Sequence, residues 1–112
     1  MKDVNWSDEL SASVTVCDRE GIVLYMNKPA IAQFQKYGGS SLLGESLIEC
    51  HPEPSRSKLI EMLAKPMENI YTTEKNGVKK IIFQKPWIQN GEFSGVIEIS
   101  FELPTGMVNH VR

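Results

Sequence analysis

One place in the chain puts two soft ligands side by side: Cys50-His51, followed by Pro52. A structural zinc site takes about four Cys or His ligands. Beyond this pair only Cys17 and His110 remain, and adjacent residues point their side chains apart. The pair therefore reads as a structural loop, with His51 bonding backbone groups and Cys50 packing as a small hydrophobe. Two cysteines make no disulfide framework, and in a reducing compartment both are thiols. A hydrolase nucleophile elbow needs Gly two places to either side of a Ser. Ser94, the Ser in the most Gly-rich surroundings, has Glu92 and Val96 there. Gly38-Gly39 and Gly44 lack the following Lys of a phosphate loop, and no carboxylate pair is tied to a His by a recognisable spacing. These residues point to binding rather than catalysis. The methionines Met26, Met62 and Met67 read as core, with an adaptable pocket as the lesser reading.

The elements that must position these residues begin at Val14. Val14 and Val16 alternate with Thr15 and Cys17, the period of a half-buried strand. Asp18-Arg19-Glu20-Gly21 is a turn, with Asp favoured at its first position and Gly at its fourth. Ile22 to Met26 is a second β-rich run. Asn27 can cap a helix, and Pro29 suits its first turn. That helix carries Ala30, Ile31 and Phe34 on one face, runs to Tyr37, and ends at Gly38-Gly39. Ser40 to Gly44 is too short for more than one helical turn, and Leu42, Leu43, Leu47 and Ile48 supply apolar anchors. The prolines at 52 and 54 exclude a regular helix there. A helix opening near Glu53 or Ser55 then carries Leu59, Ile60, Met62 and Leu63, and Lys65-Pro66 ends it. Three strands close the chain: Asn69–Thr73, the run through Ile81-Ile82-Phe83 to Trp87-Ile88, and Gly95–Phe101. Asn76-Gly77 and Asn90-Gly91 supply their turns. The expected fold is α+β: a five-stranded antiparallel sheet with helices on one face, in the order β-β-α-α-α-β-β-β.

At 112 residues the chain suits one domain. Its 41% apolar and 23% charged residues are ordinary for a globular fold. A net charge of -2 gives no reason to expect nucleic acid or an anionic membrane as partner. No apolar run is long enough to span a bilayer. The first ten residues are too polar for a signal peptide, so a cytoplasmic location is expected if Met1 is the natural start. Domain limits of 12–103 are expected, preceded by a segment 1–11 that can hold a short helix and followed by a tail 104–112.

Asp18, Gly21, Val23, Asn27 and Ala30 resemble the opening signature of PAS domains, with Ala30 one place later than the commonest spacing. The segment from Leu42 to Leu63 resembles a PAS subfamily carrying Leu-x-Gly, a Cys-His-Pro element, and a Ser that opens the next helix. The last strand also resembles the PAS ending, although Phe101-Glu102-Leu103 replaces the usual Asp-Ile-Thr. The resemblance covers residues 12 to 102. It implies the sheet order second, first, fifth, fourth, third strand, and a sensory or interaction module of bacterial-type signalling rather than an enzyme. The ligand would sit between sheet and helices, lined by Phe34, Leu47, Cys50, His51, Leu59, Met62, Leu63, Tyr71 and Phe83. Such an apolar lining would favour a small uncharged or amphiphilic molecule. Asp18, Gly21 and Asn27 would be structural. Trp6, a large apolar side chain in a polar segment, and Leu10 would join the sheet's outer face in a homodimer. Output would pass to a signalling protein in trans, to the dimer, or to a larger protein of which this is a part. A cofactor-free dimerisation or interaction module is the alternative. No cofactor is required by the sequence. Haem held by His51 is a weaker alternative, since in haem-binding relatives the His generally lies within the long helix. The flavin reading lacks its Asn-Cys-Arg-Phe-Leu-like segment.

Overall fold

Strands β1 (Ser13–Asp18) and β2 (Val23–Met26) open the computed structural model, which describes residues 4–112. Asp18 holds the turn between them: its Oδ1 accepts from the N–H of Glu20 at 2.9 Å and of Ile22 at 3.0 Å. Gly21 has φ +82°, and a Cβ there would come within 3.2 Å of Ile48 and 3.3 Å of Leu63. The conformation therefore favours Gly, and any side chain there would also have to displace Ile48 and Leu63 slightly.

Asn27 ends β2 and starts α1 (Lys28–Gln33), its Oδ1 accepting from the Ala30 N–H at 3.0 Å. The helix expected to reach Tyr37 is α-helical only to Gln33, and Gln35–Tyr37 tightens into a 3-10 turn that ends on left-handed Gly38. Two more 3-10 turns, Gly39–Leu42 and Ile48–Cys50, stand where the central helical turn was expected. Short 3-10 pieces of this kind serve as connectors where a segment is too brief for i→i+4 bonding. Then come α2 (Ser55–Ala64), β3 (Asn69–Lys75), β4 (Val78–Gln89) and β5 (Glu92–Glu102). Asn76-Gly77 and Asn90-Gly91 both take positive φ, as two-residue hairpin turns that match strand twist require.

The sheet runs β2-β1-β5-β4-β3 with every neighbouring pair antiparallel, the order the PAS resemblance implies. Cross-strand partners share a face. One face carries Cys17, Val96, Glu98, Ser100, Ile82, Gln84, Asn69 and Tyr71 in register. It is the helix side, since the Ser100 hydroxyl reaches Gln33 of α1. The other face carries Ile97, Ile99, Phe101, Ile81, Phe83 and Trp87, all partly buried. The core lies at the β1–β2–β5 end, where Cys17, Val23, Met26, Ala30, Leu42, Leu47 and Val96 close on Leu59, Met62 and Leu63 of α2.

Residues 7–10 form a turn, closed by Leu10 N–H to Ser7 O at 3.3 Å, instead of the short helix expected. It is docked by Asn27 Nδ2 to Ser7 O, by Asp8 Oδ1 on the Lys28 N–H, and by the Ser7–Tyr25 hydroxyl pair. Three polar anchors therefore hold an irregular conformation that no repeating helical bond would supply. Trp6 is 60% exposed, and residues 1–3 of the expected dimer segment lie outside the described residues. Residues 104–112 hold only a turn at Thr105-Gly106. Among the described residues no helix is long and apolar enough to cross a membrane.

Candidate functional site

Helix α2 is capped at both ends by side chains. At its start the Glu53 carboxylate accepts from the Ser57 N–H at 2.8 Å and the Ser57 hydroxyl at 2.6 Å. The Ser57 hydroxyl, then its N–H, hold the Glu53 carboxyl below its ordinary value. At its end the Arg19 guanidinium donates to the carbonyls of Ala64 at 3.1 Å and Leu63 at 3.4 Å, satisfying groups that have no partner in the helix. The same guanidinium lies 4.6 Å from the centre of the Phe93 ring.

Between these ends the helix is chemically lopsided. Its buried residues, Leu59, Met62 and Leu63, all lie beyond the first turn. The first turn, Ser55-Arg56-Ser57-Lys58, has no apolar side chain to lay on the sheet. A cleft of about 300 Å³ remains there, lined by Pro54, Ser55, Lys58, Asn69, Tyr71 and Gln84.

A polar chain starts in the lining of the cleft, at Asn69 and Gln84, and continues across the sheet to Glu98. Glu98 Oε2 accepts from Gln84 Nε2 at 3.0 Å, and Gln84 Oε1 accepts from Asn69 Nδ2 at 2.7 Å. A carboxylate can only accept, so the orientation of both amides follows from Glu98. Tyr71 stands on the same face, its hydroxyl pKa pushed up by burial and then by the Glu98 charge. Among the described residues no Lys or Arg forms an ion pair with Glu98; Lys58, at the rim, lies 3.8 Å from Glu61.

The residues expected to line one apolar pocket are dispersed. Leu47, Leu59, Met62 and Leu63 are closed core, and Phe34 and Cys50 pack against it. Met26 and Met62 are core, with Met67 packed beside them. Tyr71 is in the cleft. Phe83 is on the opposite face of the sheet, stacked 6.3 Å from Phe101, because β4 places its even-numbered neighbours Ile82 and Gln84 toward the helices. Of the residues expected to line the pocket, Tyr71 borders this cleft, whose other lining residues apart from Pro54 are polar. Gln84 and Glu98 carried no recognisable motif, although the alternation of Val96, Glu98 and Ser100 against Ile97, Ile99 and Phe101 signalled one polar face.

His51 Nδ1–H donates to the Leu47 carbonyl at 2.7 Å, which ties the ring to its own loop. Cys50 Sγ lies 3.7 Å from the Ser46 carbonyl, and burial followed by the Glu49 charge pushes its thiol pKa up. Burial pushes Cys17 to about 11. Raised thiols are poor nucleophiles at neutral pH. Among the described residues no three His, Cys, Asp or Glu side chains converge as metal ligands.

The PAS fold family profile matches residues 7–74. No curated protein matches the sequence. Several solved structures share the fold. The PAS domain of BvgS from Bordetella pertussis is 18% identical, with a TM-score of 0.60, covering 89% of this chain and 82% of that one. The PAS domain of an HTR-like protein from Haloarcula marismortui is 17% identical, with a TM-score of 0.57 and coverage of 87% and 85%. The Aer2 receptor of Vibrio cholerae, described as a dual PAS-haem oxygen sensor, is 20% identical, with a TM-score of 0.54 and coverage of 83% and 95%.

Proposed function

This chain belongs to the PAS family, and on that premise we propose that it is a sensory module that binds a small molecule between α2 and the helix-facing side of the sheet. The observation that carries this reading is the Asn69–Gln84–Glu98 chain beside Tyr71. Buried and half-buried polar groups cost free energy unless they are paired. A purely structural interface could fill this floor with apolar side chains, as the β1–β2–β5 end does. The cleft instead offers hydrogen-bonding groups to a ligand whose arrival alters how the polar first turn of α2 sits on the sheet. No catalytic role is assigned to any residue. The Cys50-His51-Pro52 loop supports placing the chain in the Cys-His-Pro subfamily, with His51 structural. Mass spectrometry of small molecules extracted from freshly purified protein tests the proposal. The expected result is a stoichiometric polar compound retained by the parent and lost when Gln84→Leu blocks the floor. Equal retention by the two proteins would reject this cleft as the site.

A second reading, homodimerisation, is favoured by the row Ile81, Phe83, Trp87, Ile97, Ile99 and Phe101 on the outer face, with Trp6 exposed near the docked N-terminal segment. Light scattering should give twice the chain mass, falling toward one chain mass for Trp6→Ser. A monomeric parent at high concentration would sink this reading.

A further inference from the structure

The lining of the cleft between the start of α2 and β3–β4 carries a single formal charge, the Lys58 ammonium, and no carboxylate. Its unused hydrogen-bonding groups are mostly donors. Asn69 spends one Nδ2 N–H on Gln84, and Gln84 spends one Nε2 N–H on Glu98, so each amide keeps a second N–H. The Ser55 and Tyr71 hydroxyls and the Lys58 ammonium add further donors. Burial and then the Glu98 charge push the Tyr71 pKa up, so its hydroxyl keeps its proton at neutral pH. The backbone start of α2 adds little, because the N–H groups of Arg56, Ser57 and Lys58 are taken by the Pro52 carbonyl, the Glu53 carboxylate and the Pro54 carbonyl. Three carboxylates stand nearby, and none of them lines the cleft. Glu53 accepts from Ser57, and Glu98 accepts from Gln84. Glu61 faces Lys58 across 3.8 Å, with both side chains largely in solvent. An exposed pair three residues apart on a helix is worth little, so Lys58 is free to turn its charge to a ligand.

We propose that the cleft takes a short-chain monocarboxylate, with Lys58 as its counter-ion and the side-chain donors of the lining on its oxygens; this rests on the sensory reading above. A carboxylate offers about four acceptor sites and no donor, the complement of this lining. One ammonium balances one negative charge. A phosphate monoester, at about -1.5 to -2 near neutral pH, would be left undercompensated. The volume of about 300 Å³ admits a chain of a few carbons.

Four probes separate the outcomes: butyrate, butyramide and butylamine, which share a carbon count, and inorganic phosphate. Each is titrated into the full chain, in a buffer free of carboxylates and phosphate, while the side-chain amide resonances of Asn69 and Gln84 are followed by NMR. Butyrate should shift both amides saturably. Butyramide, butylamine and phosphate should each bind more weakly by about tenfold or more, the loss typical of a charged hydrogen-bond partner. Lys58→Met keeps most of the apolar stem and removes the charge. It should weaken butyrate by about tenfold or more and leave the affinity for butyramide unchanged. Any of the other three probes matching butyrate would overturn the monocarboxylate assignment and leave the sensory cleft standing. Unmoved amides with all four probes would overturn the assignment too, and the extraction experiment would then decide the sensory reading separately. Unchanged butyrate affinity in Lys58→Met would overturn it directly. The probe comparison needs no variant, so it holds even if Lys58→Met folds poorly.

Discussion

Asn27→Ala should lower the stability of the domain by about 4 kcal/mol or more, because it strips partners from four backbone groups at once. Asn27 is fully buried. Its Oδ1 accepts from the N–H groups of Val14 at 2.9 Å and Ala30 at 3.0 Å. Its Nδ2 donates to the carbonyls of Ser7 and Ala12, each at 2.8 Å. One amide thereby joins the N-terminal segment, β1 and the first turn of α1. Each unpaired buried group costs roughly 1–3 kcal/mol, and the deleted amide leaves a cavity in addition. Asn27→Asp should rescue little: it keeps the acceptor, loses both donors and brings a charge into the interior. Denaturant titration measures the loss, and proteolysis of residues 4–12 at low protease reports release of the segment. A destabilisation below about 1 kcal/mol would show that water or a backbone shift replaces the amide.

The second large effect belongs to Gly95→Ala. Gly95 faces Asp18 across the β1–β5 pair, and a Cβ built there would lie 1.9 Å from the Cys17 carbonyl oxygen and 2.9 Å from the Asp18 Cα. The obstacle is backbone, which cannot swing aside as a side chain can, so the two central strands must part. A cost of about 3 kcal/mol or more is expected, at or above the top of the usual range for overpacking. It should be read as a fall in melting temperature with the Cys17 and Val96 amides losing exchange protection. A melt matching that of the parent would mean that β1 shifts its register without penalty.

Much of the architecture was legible in the residues because its signals are local. Asp18 with Gly21, Asn27 with Pro29, and the two Asn-Gly pairs each fix a turn or a helix start by their own chemistry. The strand period was legible for the same reason. What the residues did not give was the side of the sheet on which Phe83 lies. Ile97, Ile99 and Phe101 form a clean stripe, and a stripe is ordinarily turned inward; here the helices lie over the opposite row, in which Glu98 and Ser100 alternate with the stripe. The error at Phe83 was avoidable. Counting back from the Asn76-Gly77 turn pairs Tyr71 with Ile82, so Tyr71 and Phe83 must face opposite ways. The crowding at Gly95 and the Arg19 contact with the end of α2 were not legible, since each joins segments far apart in the chain whose distance only the fold sets.

The lopsided burial along α2 has a consequence for how the helix can come away. Apolar area removed from water is concentrated under Leu59, Met62 and Leu63, and Arg19 clasps the same end. The free energy of detachment therefore rises steeply from Ser55 toward Ala64. The helix opens as a wedge, its first turn lifting over the polar floor while its last turn stays seated. Amide exchange along α2 would then follow a gradient rather than a single value, and the mouth of the wedge coincides with the cleft.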